Sequence, residues 1–120
     1  MQQADEISRT PTYTFFLMLT ATEHWLRLSR PERGRLSDDH VGRLLQTFSG
    51  LRLRYFDAEA FTADCSDLMM IETEDLTAYY DFIETLRDSP MFTVPYFRVV
   101  RIIPAIEDGF RQFEDRAAQA

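Results

Sequence analysis

Apolar positions along the chain recur with two spacings, and these divide most of it into elements. Tyr13 to Ala21, YTFFLMLTA, is apolar on both alternating sets: Tyr13, Phe15, Leu17 and Leu19 on one side, Phe16 and Met18 on the other. That pattern predicts a strand buried on both faces. Leu51, Leu53 and Tyr55 alternate with Arg52, Arg54 and Phe56, a second strand over 51–56. A third follows at 67–73 and a fourth at 96–103, with Phe97, Val99 and Ile103 expected opposite Tyr96, Val100 and Ile102, and Pro104 ending it. Helical spacing appears between the strands. Thr22 is placed to cap a short turn carrying His24 and Trp25. Ser29-Arg30-Pro31-Glu32 reads as a capping box with proline in the first turn. A further cap at Ser37 leads into Val41, Leu44, Leu45 and Phe48, closed by Gly50. Thr73-Glu74-Asp75 starts another helix, whose buried face is expected to be Leu76, Tyr79, Tyr80, Ile83 and Leu86; Asp88-Ser89-Pro90 ends it. A last helix over 105–116 carries Ile106, Phe110 and Phe113.

The resulting order, β-α-β-β-α-β plus a terminal helix, predicts an α+β, ferredoxin-like fold: a four-stranded antiparallel sheet with helices on one face. Residues 1–11 are expected to form a flexible N-terminal tail and 12–116 a single domain. The uncovered sheet face keeps apolar residues, which predicts a partner. A second copy related by twofold symmetry is the economical choice, giving a dimeric α+β barrel and a homodimer through the sheet face.

Composition narrows the functional classes. The net charge is −7 and every cation is an arginine. With no basic stripe, no nucleic-acid or anionic-membrane partner is expected. No apolar run reaches the ~20 residues needed to cross a bilayer, and 1–11 lacks a signal peptide's apolar region. A single cysteine, Cys65, fits a reducing compartment, so a cytoplasmic location is expected. Ten Phe and five Tyr can fill a core and line a cavity.

Several segments together resemble the darcynin family of small bacterial proteins. They are Trp25-Leu26 with Leu28-Ser29-Arg30 and Glu32-Arg33; Phe56-Asp57-Ala58-Glu59-Ala60-Phe61; Cys65-Ser66-Asp67; Glu72-Thr73-Glu74-Asp75-Leu76; Leu86-Arg87-Asp88; and Ile102-Ile103-Pro104-Ala105-Ile106-Glu107-Asp108-Gly109. The resemblance runs from about Tyr13 to Phe113. It carries no established catalytic residues to transfer. More loosely, the topology looks like that of cofactor-free quinol monooxygenases, cyclases and chlorite-dismutase relatives, an analogy of fold alone.

The densest chemistry lies in the connection after the second strand: Asp57, Glu59, Asp64, Cys65 and Asp67. A solvated acidic turn is the plainer reading, and the dense pattern of a calcium loop is missing. Two histidines and one cysteine do not make a zinc site, so no metal and no cofactor is expected, with haem on His24 or His40 the weaker exception. Nothing in the spacing pairs Cys65 with either histidine as a nucleophile. His24 and Trp25 follow the first strand, where this fold opens a cavity between sheet and helices. The candidate catalytic residues are His24, Trp25, Tyr55 and Asp57. Candidate ligand-binding residues are Phe16, Arg54, Phe56, Glu72, Tyr80, Phe92 and Tyr96. Together they suggest a homodimer that binds a small apolar or aromatic metabolite and, if it is an enzyme, transforms it by cofactor-free cyclase, isomerase or monooxygenase-like chemistry. The alternative is a non-catalytic protein-interaction module.

Overall fold

The computed structural model describes residues 10–119. Its elements are β1 (Tyr13–Ala21), α1 (Glu23–Leu26), α2 (Arg30–Ser37), a π-helical turn (Asp38–Gly42), α3 (Arg43–Thr47), β2 (Leu51–Asp57), β3 (Asp67–Thr73), α4 (Leu76–Arg87), α5 (Pro90–Thr93), β4 (Phe97–Ile106) and α6 (Gly109–Gln119). The four strands form one antiparallel sheet in the order β2-β3-β1-β4, the ferredoxin-like arrangement the β-α-β-β-α-β order predicts. The expected tail at 1–11 lies, over residues 1–9, outside the described residues.

Sheet parity decides which residues reach the core. Phe15, Leu17 and Leu19 of β1 and Met69 and Ile71 of β3 turn toward the helices and are buried with Phe82, Ile83 and Leu86 of α4, Met91 of α5 and Phe97 of β4. Tyr79 of α4 stacks on Phe15, ring centroids 3.5 Å apart and 6° from parallel. The opposite residues form rows on the uncovered face: Arg54, Met70, Phe16 and Ile103 in one, Phe56, Leu68, Met18 and Arg101 in the next.

Local chemistry explains most element ends. Ser29 Oγ accepts from Glu32 N–H while Glu32 accepts from Ser29 N–H, a closed capping box. Gly50 has φ of +88°, which a residue with a side chain rarely adopts, and turns the chain into β2. Asp75 caps α4, accepting from Thr77 and Ala78 N–H; Thr73, expected to share that role, is buried and donates to Gly50 O at 2.8 Å.

Several expectations are corrected. Ser37 is not a cap: it is helical, and α2 runs through the π turn into α3 without a break. Strand β4 continues through Pro104 to Ile106 because it is an edge strand, where a residue without N–H leaves no ladder bond unmade. A bulge in β4 leaves Val100 unpaired, since Met18 faces Arg101 while Leu19 faces Val99. This brings Ile102 to the helix side and Ile103 to the open face. The buried stripe of α4 is Tyr79, Phe82, Ile83 and Leu86, and Leu76 and Tyr80 face solvent. Placing Tyr79 inward puts Phe82 three residues on, at helical spacing. The terminal helix begins at Gly109, after the longer strand has ended.

Phe82 is 0% exposed and Tyr80 62%. Phe82→Ala should therefore lower unfolding stability by about 3–5 kcal/mol, and Tyr80→Ala should stay within about 0.5 kcal/mol. Urea denaturation followed by far-UV circular dichroism measures both.

Candidate functional site

Between the sheet and the helices lies a cavity of about 270 Å³. The sheet contributes Leu19, Met69 and Phe97; α1 contributes Trp25; Ser37 and Val41 roof it from the end of α2 and the π turn; Leu86, Met91 and Phe92 close the side. These walls are apolar or aromatic. Tyr55, Asp57 and Asp67 make one end polar.

Sheet register accounts for that polar end. Asp57 on β2 and Asp67 on β3 are direct cross-strand partners, in the row with Leu19 and Val99. Like charges facing across a sheet oppose folding, so their placement is costly unless something offsets it. Asp67 is only 6% exposed. Its Oδ2 accepts from Ser66 Oγ at 2.7 Å, and Ser66 Oγ in turn accepts from Ala21 N–H at 2.7 Å, which ties the 58–66 connection to the end of β1. Burial raises the Asp67 carboxyl above the ordinary carboxylate range, opposed by its hydrogen bonds to Ser66 and Tyr55. The Tyr55 phenol is raised too, first by burial and then by the Asp67 charge beside it. Glu59 stands next to this pair, and single carboxylate oxygens of Asp57, Glu59 and Asp67 lie within 4.8 Å of one another. Carboxylates so spaced could hold a hard cation.

Among the expected site residues, the structure brings Trp25, Tyr55, Asp57 and Phe92 to the cavity. Tyr96 packs edge-on against Trp25 from behind, centroids 5.8 Å apart, without lining it. His24 is exposed on α1. Phe16, Arg54, Phe56 and Glu72 lie on the other sheet face, where even-numbered positions of β1, β2 and β3 must point once the odd ones point inward. There Arg54 lies over the Phe56 ring at 5.2 Å, and Arg52 pairs with Glu72 at 3.8 Å. Tyr80 is on the solvent side of α4. Asp67, Ser37, Val41, Leu86 and Met91 line the cavity without having been expected there. For Asp67 the signal was available: it shares strand parity with Met69 and Ile71. Cys65, two residues earlier in the chain, is buried and free.

The sequence pattern of the darcynin family, described as a domain of unknown function, matches residues 1–120. The chain belongs to the darcynin family. Among its relatives is a darcynin of Chromobacterium violaceum, 58% identical over 69 residues, which cover 58% of this chain and 87% of that one. In fold, this darcynin-family chain is similar to a mutant chlorite dismutase from Candidatus Nitrospira defluvii, with a TM-score of 0.72 and 14% identity over 93% of this chain and 49% of that one. It is equally similar to a haem-binding protein from Thermus thermophilus, with a TM-score of 0.72 and 16% identity over 90% of this chain and 44% of that one. The chain thus spans less than half the length of these solved structures. Among the described residues, no helix is long and apolar enough to cross a membrane.

Because folding raises Asp67 above its unfolded value of 3.8, ionising it opposes the folded state. That penalty is absent below pH 3.8 and grows as pH rises through the folded-state value. Asp67→Asn should match the parent's melting temperature at pH 3.5 and exceed it at pH 7. A melting-temperature difference that is flat with pH would show that burial does not perturb this carboxyl.

Proposed function

We propose that this protein is a homodimer in which each subunit binds a small, largely apolar or aromatic metabolite in the cavity between its sheet and helices. The observation that carries the reading is the cavity itself: apolar walls, with hydrogen-bonding groups gathered at one end, the usual design of a small-ligand site. In the enzymatic version the chemistry is cofactor-free. Tyr55, Asp57 and Asp67 are the groups placed to move a proton at the ligand's polar end, and Trp25 and Phe92 hold its body. His24, exposed on α1, has no part in it.

Support for the second copy comes from the open sheet face, where Phe16, Phe56, Val100 and Ile103 are each more than a third exposed. An apolar face of this kind is what a partner covers. Each solved neighbour is about twice this chain's length, leaving room there for a second unit of equal size.

Haem, which the Thermus thermophilus neighbour binds, does not fit this lining. Neither His24 nor His40 lines the cavity, nor does Cys65, and the polar end is carboxylate, which repels haem's anionic propionates. At about 270 Å³ the cavity holds a one-ring molecule but is too small for a haem macrocycle. A second reading, a non-catalytic interaction module, is favoured by one observation: α6 leaves Phe110 and Phe113 exposed and buries none of its residues.

Native mass spectrometry of purified protein should show a dimer carrying a small molecule that is lost on denaturation. Phe16→Arg should give a monomer in light-scattering chromatography. A parent protein that is monomeric at micromolar concentration and never retains a small molecule would favour the interaction module, whose binding to a basic partner weakens as salt rises.

A further inference from the structure

We infer that the cavity's ligand is a primary amine, bound as its ammonium, with an aromatic or aliphatic body. This rests on the reading of the cavity as a small-ligand site and names the class of molecule it takes.

Charge is the first argument. Among the described residues, no lysine, arginine or histidine lines the cavity, whereas Asp57 and Asp67 do and Glu59 stands beside them. Two arginines stand over rings of its walls: Arg33, whose guanidinium lies 6.0 Å from the Trp25 ring, and Arg87, at the same distance from Phe92. Arg33 is engaged elsewhere, donating to Trp25 O and Leu26 O. Neither arginine lines the cavity. The field at the polar end is therefore negative, and an anionic ligand is repelled from it.

Geometry is the second argument. A tetrahedral ammonium making charge-assisted bonds of about 2.8 Å sets its acceptor oxygens about 4.6 Å apart. One carboxylate oxygen each from Asp57, Glu59 and Asp67 lies within 4.8 Å of the other two, close enough for a single ammonium to donate to more than one of them. The ammonium also relieves the facing of Asp57 and Asp67 across the sheet, which no cation among the described residues neutralises.

Packing is the third argument and selects an amine over a bare metal ion. A metal would use the carboxylates and leave the apolar volume beyond them empty. A ligand with a hydrophobic body fills both: head at the carboxylates, body against Trp25, Met69, Met91, Phe92 and Phe97. Trp25 is the only tryptophan, and its ring is a cavity wall, so its fluorescence reports on occupancy.

The test uses the full-length protein and titrates 2-phenylethylamine, hexylamine, 2-phenylethanol, 3-phenylpropionate and calcium, following Trp25 emission and heat of binding. At least one amine should bind at least tenfold more tightly than the alcohol, with no binding of the carboxylate. Asp67→Asn and Glu59→Gln should each cut that preference at least threefold while alcohol binding persists; Asp81→Asn, on the outer side of α4, should change nothing. Equal binding of amine and alcohol, or tighter binding of the carboxylate, would overturn the amine and leave the cavity standing as a site for an uncharged or anionic molecule. Calcium binding without any amine binding would overturn the amine in favour of a cation site. If no probe binds at all, the amine inference and the small-ligand reading fall together.

Discussion

Leu17, Ile71 and Phe82 belong to one core cluster almost fully shielded from water, and their burial governs where every other side chain of the sheet can go. Strand side chains alternate strictly, so committing Leu17 and Ile71 to the helix side sends Phe16, Met18 and Met70 to the other face. The same alternation carries Tyr55, Asp57 and Asp67 inward in register with Met69 and Leu19. The apolar core and the acidic end of the cavity are thus two results of one constraint. A slip of one residue would reverse both, exposing the core row and releasing the carboxylates to water.

The fold was legible because its signals are local and repeated. Period-two alternation in β1 and β2, the closed box at Ser29 and the positive-φ glycine at Gly50 each specify a conformation without help from distant residues. What escaped notice depends on partners far along the chain. The bulge at Val100 exists because β4 must pair with β1 on both sides of Met18, and no pattern within β4 shows it. Pro104 looked like a terminus because its tolerance depends on β4 being an edge strand, a property of sheet order. On α4, Tyr79 and Tyr80 are adjacent and chemically alike, and only the stack with Phe15 decides which of them turns inward.

The site was legible in part for the same reason. Trp25, Tyr55 and Asp57 follow from strand ends and parity. Residues on the outer face, such as Arg54 and Glu72, looked equally suited to a ligand by their chemistry, and only the side of the sheet they occupy separates them from the cavity. Fold likeness gives no further help with the ligand: the neighbours share a scaffold at 14–16% identity, and a scaffold fixes where a hollow sits while its lining decides what enters.

The π-helical turn at Asp38–Gly42 has a consequence of its own. Such a turn holds one residue more than an α-helical turn, so deleting a single residue there restores ordinary helix geometry. The helices on either side keep nearly the same facing, because the wider turn had already absorbed the extra residue. Ser37 and Val41, the ceiling of the hollow, sit just before and within that turn, whereas the floor belongs to the sheet. One codon lost at this place would thus take a single residue out of the ceiling above the carboxylates and leave the flanking helices and the strands where they are, a short evolutionary step by which relatives on the same scaffold can come to accept molecules of different outline.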